Sequence, residues 1–272
     1  MSTIAVNAIT DANAGNTTTI NGVTPNSANV VGKNKIINGN MAISQRYGTT
    51  STTVTTSNMY GLDRWRFTES QASKISFQQQ TIGSPQSCGN NQFTMNVTSL
   101  AATVVGASDY WGVNQFVEAN NVSDLGWGTS NAKTVTLSFW VYSSLTGAFG
   151  GAIRTGDSAN YSYPFSYSIP TANTWTQISI TISGPTAGTW STNGNGRGLD
   201  VWFSHGSGST FSGTAGSWAA ANYLSPTGSV NLVETNGATW YITGVQLEVG
   251  ESATEFEHRP YTTELQLCQR YY

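Results

Sequence analysis

Four segments of this chain carry apolar residues at every second position: Phe93, Met95 and Val97; Val135, Leu137, Phe139 and Val141; Ile178, Ile180 and Ile182; and Leu199, Val201 and Phe203. Successive side chains of an extended backbone point to opposite faces, so each run lays one apolar face on a sheet. The runs are short and end in Gly, Ser, Asn or Pro, which predicts antiparallel strands joined by turns. No long amphipathic helix alternates with them, and a parallel α/β sheet is excluded on that ground. The opposite faces hold Trp140, Tyr142, Trp202 and Trp240. Several strands therefore read as apolar on both sides, and a second sheet, a loop or another subunit must cover them.

Composition narrows the partners. Charged residues make up 9% of the 272, against about a quarter in an ordinary globular protein. Ser, Thr, Asn and Gly fill the segments between apolar runs, giving a surface of hydroxyls and amides that bonds to water and to sugar hydroxyls. With a net charge of -3 the chain offers no electrostatic footprint for phosphates, so nucleic acid is not an expected partner. The 11% aromatic content, nine Trp included, requires a packed core rather than a disordered chain. Cys88 and Cys268 stand outside any metal or redox spacing and are expected as free thiols. The Met1-Ser2-Thr3-Ile4 start has neither a basic nor an apolar signal region, and no run reaches the ~18 apolar residues of a membrane span, so neither export signal nor membrane insertion is expected.

Residues 1–33 are small and polar with isolated Ile4, Ile9 and Ile20, and hold no lasting period. They are expected as an extended N-terminal arm that orders against a partner. Residues 34–260 form one β-sandwich. Residues 261–272 form a short C-terminal helix, in which Leu265, Cys268 and Tyr272 share a face. A second helical turn is expected at 121–125, capped by Ser123 or Asn121.

Catalytic chemistry has weak support. His205 and His258 are the only histidines and lie in no metal or nucleophile motif. His205 is expected at a strand end or in a loop, and His258 beside Glu255 or Glu257. A glycan depolymerase would need two carboxylates about 5–9.5 Å apart across the scissile bond, and no acid pair stands out among the fourteen acids. Binding without catalysis needs less: flat rings for the apolar face of a sugar, amides and hydroxyls for its edges. Trp190 and Tyr161, beside turn residues, are the foremost carbohydrate-binding candidates, with Tyr163, Trp218 and Tyr223 after them. The bland reading of Trp218 and Tyr223 is that they pack their own loop. Asp63, Arg64 and Trp65 are expected to combine a charge-assisted pair with a buried aromatic anchor.

Six stretches occur in an order that resembles a family of phage tail-fibre and head-fibre proteins: Asn34-Lys35-Ile36-Ile37-Asn38-Gly39-Asn40, Gly61-Leu62-Asp63-Arg64-Trp65, 134–141, 235–244, Gly244-Val245-Gln246-Leu247-Glu248-Val249-Gly250, and 264–272. The resemblance spans residues 34–272. It implies an antiparallel jelly roll like a carbohydrate-binding module, a homotrimer, a place in the virion as a tail or head fibre, attachment to other virion proteins through residues 1–33, and recognition of a host-surface glycan without catalysis. A structural adaptor or decoration protein that binds no glycan is the alternative, and a depolymerase a lesser one. Jelly rolls of this type also carry a structural calcium ion where the first and last strands meet. Here Asn38 or Asn40, carbonyls near Gly39, and Glu248 would supply it. Calcium takes about six to eight oxygens, and only two or three side chains are at hand, so no cofactor is expected and Glu248 is expected to make a salt bridge or hydrogen bond to the opening turn.

Overall fold

The computed structural model describes residues 32–158 and 160–270. Of the expected arm, only Gly32 and Lys33 fall within them. Fourteen strands follow in chain order: β1 (Thr52–Thr53), β2 (Met59–Tyr60), β3 (Arg66–Glu69), β4 (Ile75–Thr81), β5 (Phe93–Ser99), β6 (Tyr110–Glu118), β7 (Val135–Ser143), β8 (Gly147–Thr155), β9 (Ser162–Ile169), β10 (Thr176–Ile182), β11 (Arg197–Ser207), β12 (Ser212–Gly213), β13 (Ser225–Pro226) and β14 (Thr239–Val249). A first sheet runs β1-β4-β5-β14-β7-β10 and a second β2-β3-β6-β11-β8-β9, with every pairing in both antiparallel. The two pack face to face as a β-sandwich. Chain neighbours often lie in different sheets, as the crossovers of a jelly roll require.

The alternating runs supply the space between the sheets. Val135, Leu137, Phe139 and Val141 of β7 face Val201 and Phe203 of β11, and all are buried. Phe139 meets Phe203 edge-on at 5.1 Å, and Phe67 stacks on Phe77 at 4.8 Å, so aromatic contacts cross the sandwich. Trp240 also belongs inside. It is fully buried beside Phe203, and its indole N–H donates to the Tyr167 hydroxyl at 3.1 Å.

Two of the tryptophans that seemed to need outside cover therefore find it within the chain. Trp240 is core, and Trp202, on the outer face of the second sheet, is roofed by Arg154 at 5.4 Å and Tyr110 at 6.4 Å. His205 lies near the end of β11 (Arg197–Ser207), the strand-end placement of the two expected. It is 1% exposed and edge-on to Trp240 at 4.8 Å.

The opening segment is tied down by the C-terminal one. Trp65 is fully buried and donates its indole N–H to the Asn38 carbonyl at 3.0 Å. Gln115 brackets Ile37 through both its backbone N–H and its C=O, at 2.8 and 2.7 Å, while Arg259 donates to the Ile36 carbonyl at 3.1 Å. The C-terminal helix (Tyr261–Gln269) buries Cys268 against Ile37 and Ile43, and its Glu264 accepts from the Asn38 backbone N–H.

Three local expectations are corrected. The Asp63–Arg64 pair divides between other partners: Asp63 accepts from the Gln45 backbone N–H at 2.9 Å and from its side-chain amide, while Arg64 donates to the Phe116 carbonyl at 2.8 Å. Arg64 sits at φ 73°, and this left-handed backbone turns its side chain away from Asp63. The short helix begins earlier than expected, as Ala119–Val122 followed by a 3₁₀ turn at Ser123–Leu125, and neither start has a side-chain cap. Glu248 does not reach the opening turn. Its carboxylate holds the Thr254 backbone N–H at 2.8 Å and hydroxyl at 2.7 Å, closing the turn that follows β14.

Candidate functional site

The sequence-predicted rings converge, but on one another. Trp218, in the β12–β13 connection, stacks on Tyr161 at 5.7 Å and 10° and meets Tyr163 at 5.2 Å. It also meets Trp190 at 5.6 Å and, edge-on at 5.4 Å, Trp127. Trp127 was not singled out from sequence, and it is the most buried of the five, at 4% exposure. Each indole N–H in the cluster is taken up by a backbone carbonyl: Trp127 by Lys133 at 2.8 Å, Trp190 by Ala187 at 3.1 Å, and Trp218 by Ser183 at 2.8 Å. The backbone closes in as well, since a Cβ at Gly188 would stand 2.9 Å from the Tyr161 ring. These rings lock four loops together. Tyr223 lies apart, packed over Gly213, with its backbone N–H on the Ser162 hydroxyl at 3.1 Å.

A second aromatic group faces outward on the first sheet. Because Val135, Leu137, Phe139 and Val141 point inward, the residues between them, Trp140 and Tyr142, point out. Register places Tyr241 of β14 opposite Tyr142 on one side and Asn96 of β5 on the other, with Gln78 of β4 opposite Asn96. Thr176 pairs with Val141, so Trp175, one residue earlier, falls beside Tyr142.

The three half-buried rings touch: Tyr142 to Tyr241 at 5.0 Å, Tyr142 to Trp175 at 5.6 Å, and Trp175 to Tyr241 at 6.5 Å. They line a groove of about 380 Å³ whose other wall is Gln80, Thr81, Thr94 and the 82–87 loop. No charged residue lines it. Burial beside Tyr142 raises the Tyr241 hydroxyl above its ordinary range, so it stays a neutral donor. Asn96, next in the row, is 5% exposed and has a side-chain N–H with no partner among the described residues.

Along β7 the face continues into a smaller cavity of about 260 Å³, lined by Trp140, Ser138, Gln177, Phe256 and His258. Trp140 is opposite Gln177 in the β7–β10 pairing. Gly89 and Gly244, both at positive φ, let the backbone approach the Trp140 indole; a Cβ there would stand 2.8 Å and 3.3 Å from it. His258 lies edge-on to Phe256 at 4.9 Å. Of the two expected acid partners, Glu257 instead pairs with Arg259 at 3.5 Å and accepts from the Asn34 N–H at 2.8 Å, while Glu255 lines the same cavity as His258.

Several titratable groups are buried in the interior. His205 has neither ring nitrogen bonded among the described residues, and burial pushes its pKa from 6.5 down to about 3. The buried Glu69 carboxyl is raised to about 7 by burial, which the Ser73 backbone N–H offsets only in part. Cys88 and Cys268 are buried free thiols, the second pushed up to about 12.

The residues named for calcium do not fit that ion. Glu248 is saturated by Thr254 and Gln246, and Asn38 Oδ1 accepts from the Ile43 N–H at 2.9 Å. No group of three or more acidic, His or Cys side chains suited to a metal occurs among the described residues.

No protein-family profile matches the chain, and no curated protein matches it. Solved structures similar to it include the enzymatically active domain of tailspike protein 4 of bacteriophage CBA120, at 11% identity and TM-score 0.42 over 80% of this chain and 22% of that one. The chain thus spans about a fifth of that tailspike domain's length. A candidate sugar-binding protein of Bacteroides thetaiotaomicron is similar at 12% identity and TM-score 0.45, over 80% of this chain and all of that one. The family 11 carbohydrate-binding module of Clostridium thermocellum, in complex with a mixed-linked tetrasaccharide, is similar at 13% identity and TM-score 0.34, over 74% and 97%. Likenesses this distant leave the function to the chain's own geometry.

Proposed function

We propose that this chain is a non-catalytic module of a phage virion fibre that binds a neutral host-surface polysaccharide along the outer face of its first sheet. The observation that carries the reading is the groove in which three contacting rings, Tyr241, Tyr142 and Trp175, stand on a rigid sheet beside the amide of Gln80 and the hydroxyls of Thr81 and Thr94, with no charged residue in its lining. Rings supply stacking for the apolar face of a pyranose and amides reach its hydroxyls. A site built on strands is also held in place better than one on loops. The groove wall carries no carboxylate, so the acid and base that glycosidic cleavage needs are missing from the place where the sugar lies.

A structural adaptor without glycan binding is the second reading. It is favoured by the closed packing of Trp190, Trp218, Tyr161 and Tyr163, which turns the rings nearest the loops to mechanical use. The virion location, attachment through residues 1–33 and the homotrimer are proposals supported by the order of the sequence stretches. Light scattering tests the last, and a mass near one chain would refute it.

Affinity electrophoresis against a panel of neutral polysaccharides, with a reducing-end release assay on the same samples, separates the readings. Retardation by at least one polymer without sugar release is expected, and Trp175→Ala or Tyr241→Ala should weaken it by about 1–2 kcal/mol, the range of a lost aromatic contact. Unaltered retardation in both variants would remove the groove from the argument.

A further inference from the structure

We propose that the outer face of the second sheet is a separate site for an acidic saccharide, with Arg66 and Arg197 as its anion-binding groups. This face differs from the first sheet's in charge. In a chain of net charge -3, Arg66, Arg154 and Arg197 gather around one strand pair, where Asp200 stands opposite both Arg154 and Phe116. Asp200 neutralises Arg154 in a buried ion pair, which Asn114 and Asn222 complete from the Asp200 and Arg154 sides.

Arg66 and Arg197 are left over. Their guanidinium carbons lie 4.4 and 4.6 Å from the Phe116 ring centroid, and among the described residues neither meets a carboxylate within ion-pairing distance. Arg66 is half-buried and spends its Nε on Asn114 Oδ1 at 3.2 Å, which leaves its two terminal nitrogens for a ligand. Burial lowers its pKa; Asp200 and Tyr60 oppose that shift from a distance, and Arg197 and Arg154 add to it. A planar fork held over an aromatic ring is prepared for a carboxylate or a phosphate.

One ring stands ready for the rest of the sugar: Tyr60, 41% exposed, is opposite Arg66 in the β2–β3 pairing. With two cations and one exposed ring on this face, the unit it selects is an acidic sugar residue of a polymer rather than a nucleic-acid backbone.

The test measures binding of the full chain to polygalacturonate, to the same polymer fully methyl-esterified, to polyribitol phosphate and to duplex DNA. The proposal expects binding to polygalacturonate or polyribitol phosphate, the preferred one identifying the acid as carboxylate or phosphate. It also expects that binding to fall away above about 0.5 M NaCl, where screening reaches a few ångströms. Arg197→Gln, at an exposed position, should weaken binding about tenfold with an unchanged melting temperature, and Arg66→Lys should lose part of the affinity while keeping the charge. Tyr241→Ala, on the other face, should leave it unchanged, so this site and the neutral groove fail separately. Failure of both acidic polymers to bind, equal binding of the methyl ester, equal binding of DNA, or an unaffected Arg197→Gln variant would each overturn the proposal.

Discussion

Replacing His205 by Leu should stabilise the protein, and the gain should grow as the pH falls. The imidazole is 1% exposed, with neither nitrogen bonded among the described residues, and its folded pKa of about 3 lies well below the ordinary 6.5. A group whose folded pKa is depressed contributes stability that is present above 6.5 and lost as the pH falls towards 3, because over that window the unfolded chain binds the proton and the folded one does not. At pH 4.5 the wild type has lost about 2–3 kcal/mol on this account, at about 1.4 kcal/mol per pH unit. Leucine does not titrate. At neutral pH it relieves unsatisfied polar atoms, a gain of about 1–3 kcal/mol, and forfeits the edge contact to Trp240, a loss of about 0.5–1.5 kcal/mol.

The net expectation is a variant about 1 kcal/mol more stable at pH 7, widening to about 3–4 kcal/mol at pH 4.5. Urea unfolding of both proteins across pH 4.5–8, followed by tryptophan fluorescence, measures it. Glu69 and every other titrating group cancel in the difference. A stability difference that is flat with pH would refute the burial argument for His205.

Glu69→Gln should remove the opposite dependence. Its folded pKa is raised from 4.5 to about 7, so wild-type stability is lost as pH rises between those values, and the variant should gain on the order of 2–3 kcal/mol above pH 7 in the same titration. Gly244→Ala forces a Cβ to within 2.8 Å of the Asn91 amide at a backbone φ of 61°, and should cost about 1–3 kcal/mol by thermal unfolding. Trp190→Ala should lower stability by about 2–3 kcal/mol through its lost contacts with Trp127 and Trp218 while glycan affinity holds; a binding loss at unchanged stability would restore it as a ligand contact.

Much of the fold was legible because one periodicity carries it. Phe139 and its β7 neighbours alternate without interruption, and a strand with one apolar face must bury that face against another. Trp65, Cys268 and the C-terminal helix were likewise readable from local pattern. The partners of Asp63, Arg64 and Glu248 were not. Each depends on which of several nearby amides and carbonyls the turns deliver, and the left-handed backbone of Arg64 decided one of them. The ring cluster was half legible: Trp190, Tyr161, Tyr163 and Trp218 were found as turn-borne aromatics, but their mutual contacts join three separate connections, and Trp127 adds a fourth, across a long stretch of chain.

The outward groove escaped for a more specific reason, since alternation says which residues of one strand share a face but not which face is the core. Trp140 and Trp240 both stand next to another aromatic residue, Phe139 and Tyr241, yet the first is outward and the second fully buried. Within β14 the parity also changes. Trp240 and Ile242 point in, and after the irregularity between Thr243 and Gln246 it is Val245 and Leu247 that do. A residue inserted into a strand shifts every later side chain to the other face, and Gly244, with its positive φ, provides that shift. With the parity reset there, Tyr241 lies outward beside Tyr142, while Val245 and Leu247 still reach the core. The same glycine thus closes the sandwich beyond it and leaves an aromatic row on the surface before it. Among the residues from 244 to 250 that mark the resemblance, it is the one whose substitution would disturb fold and groove together.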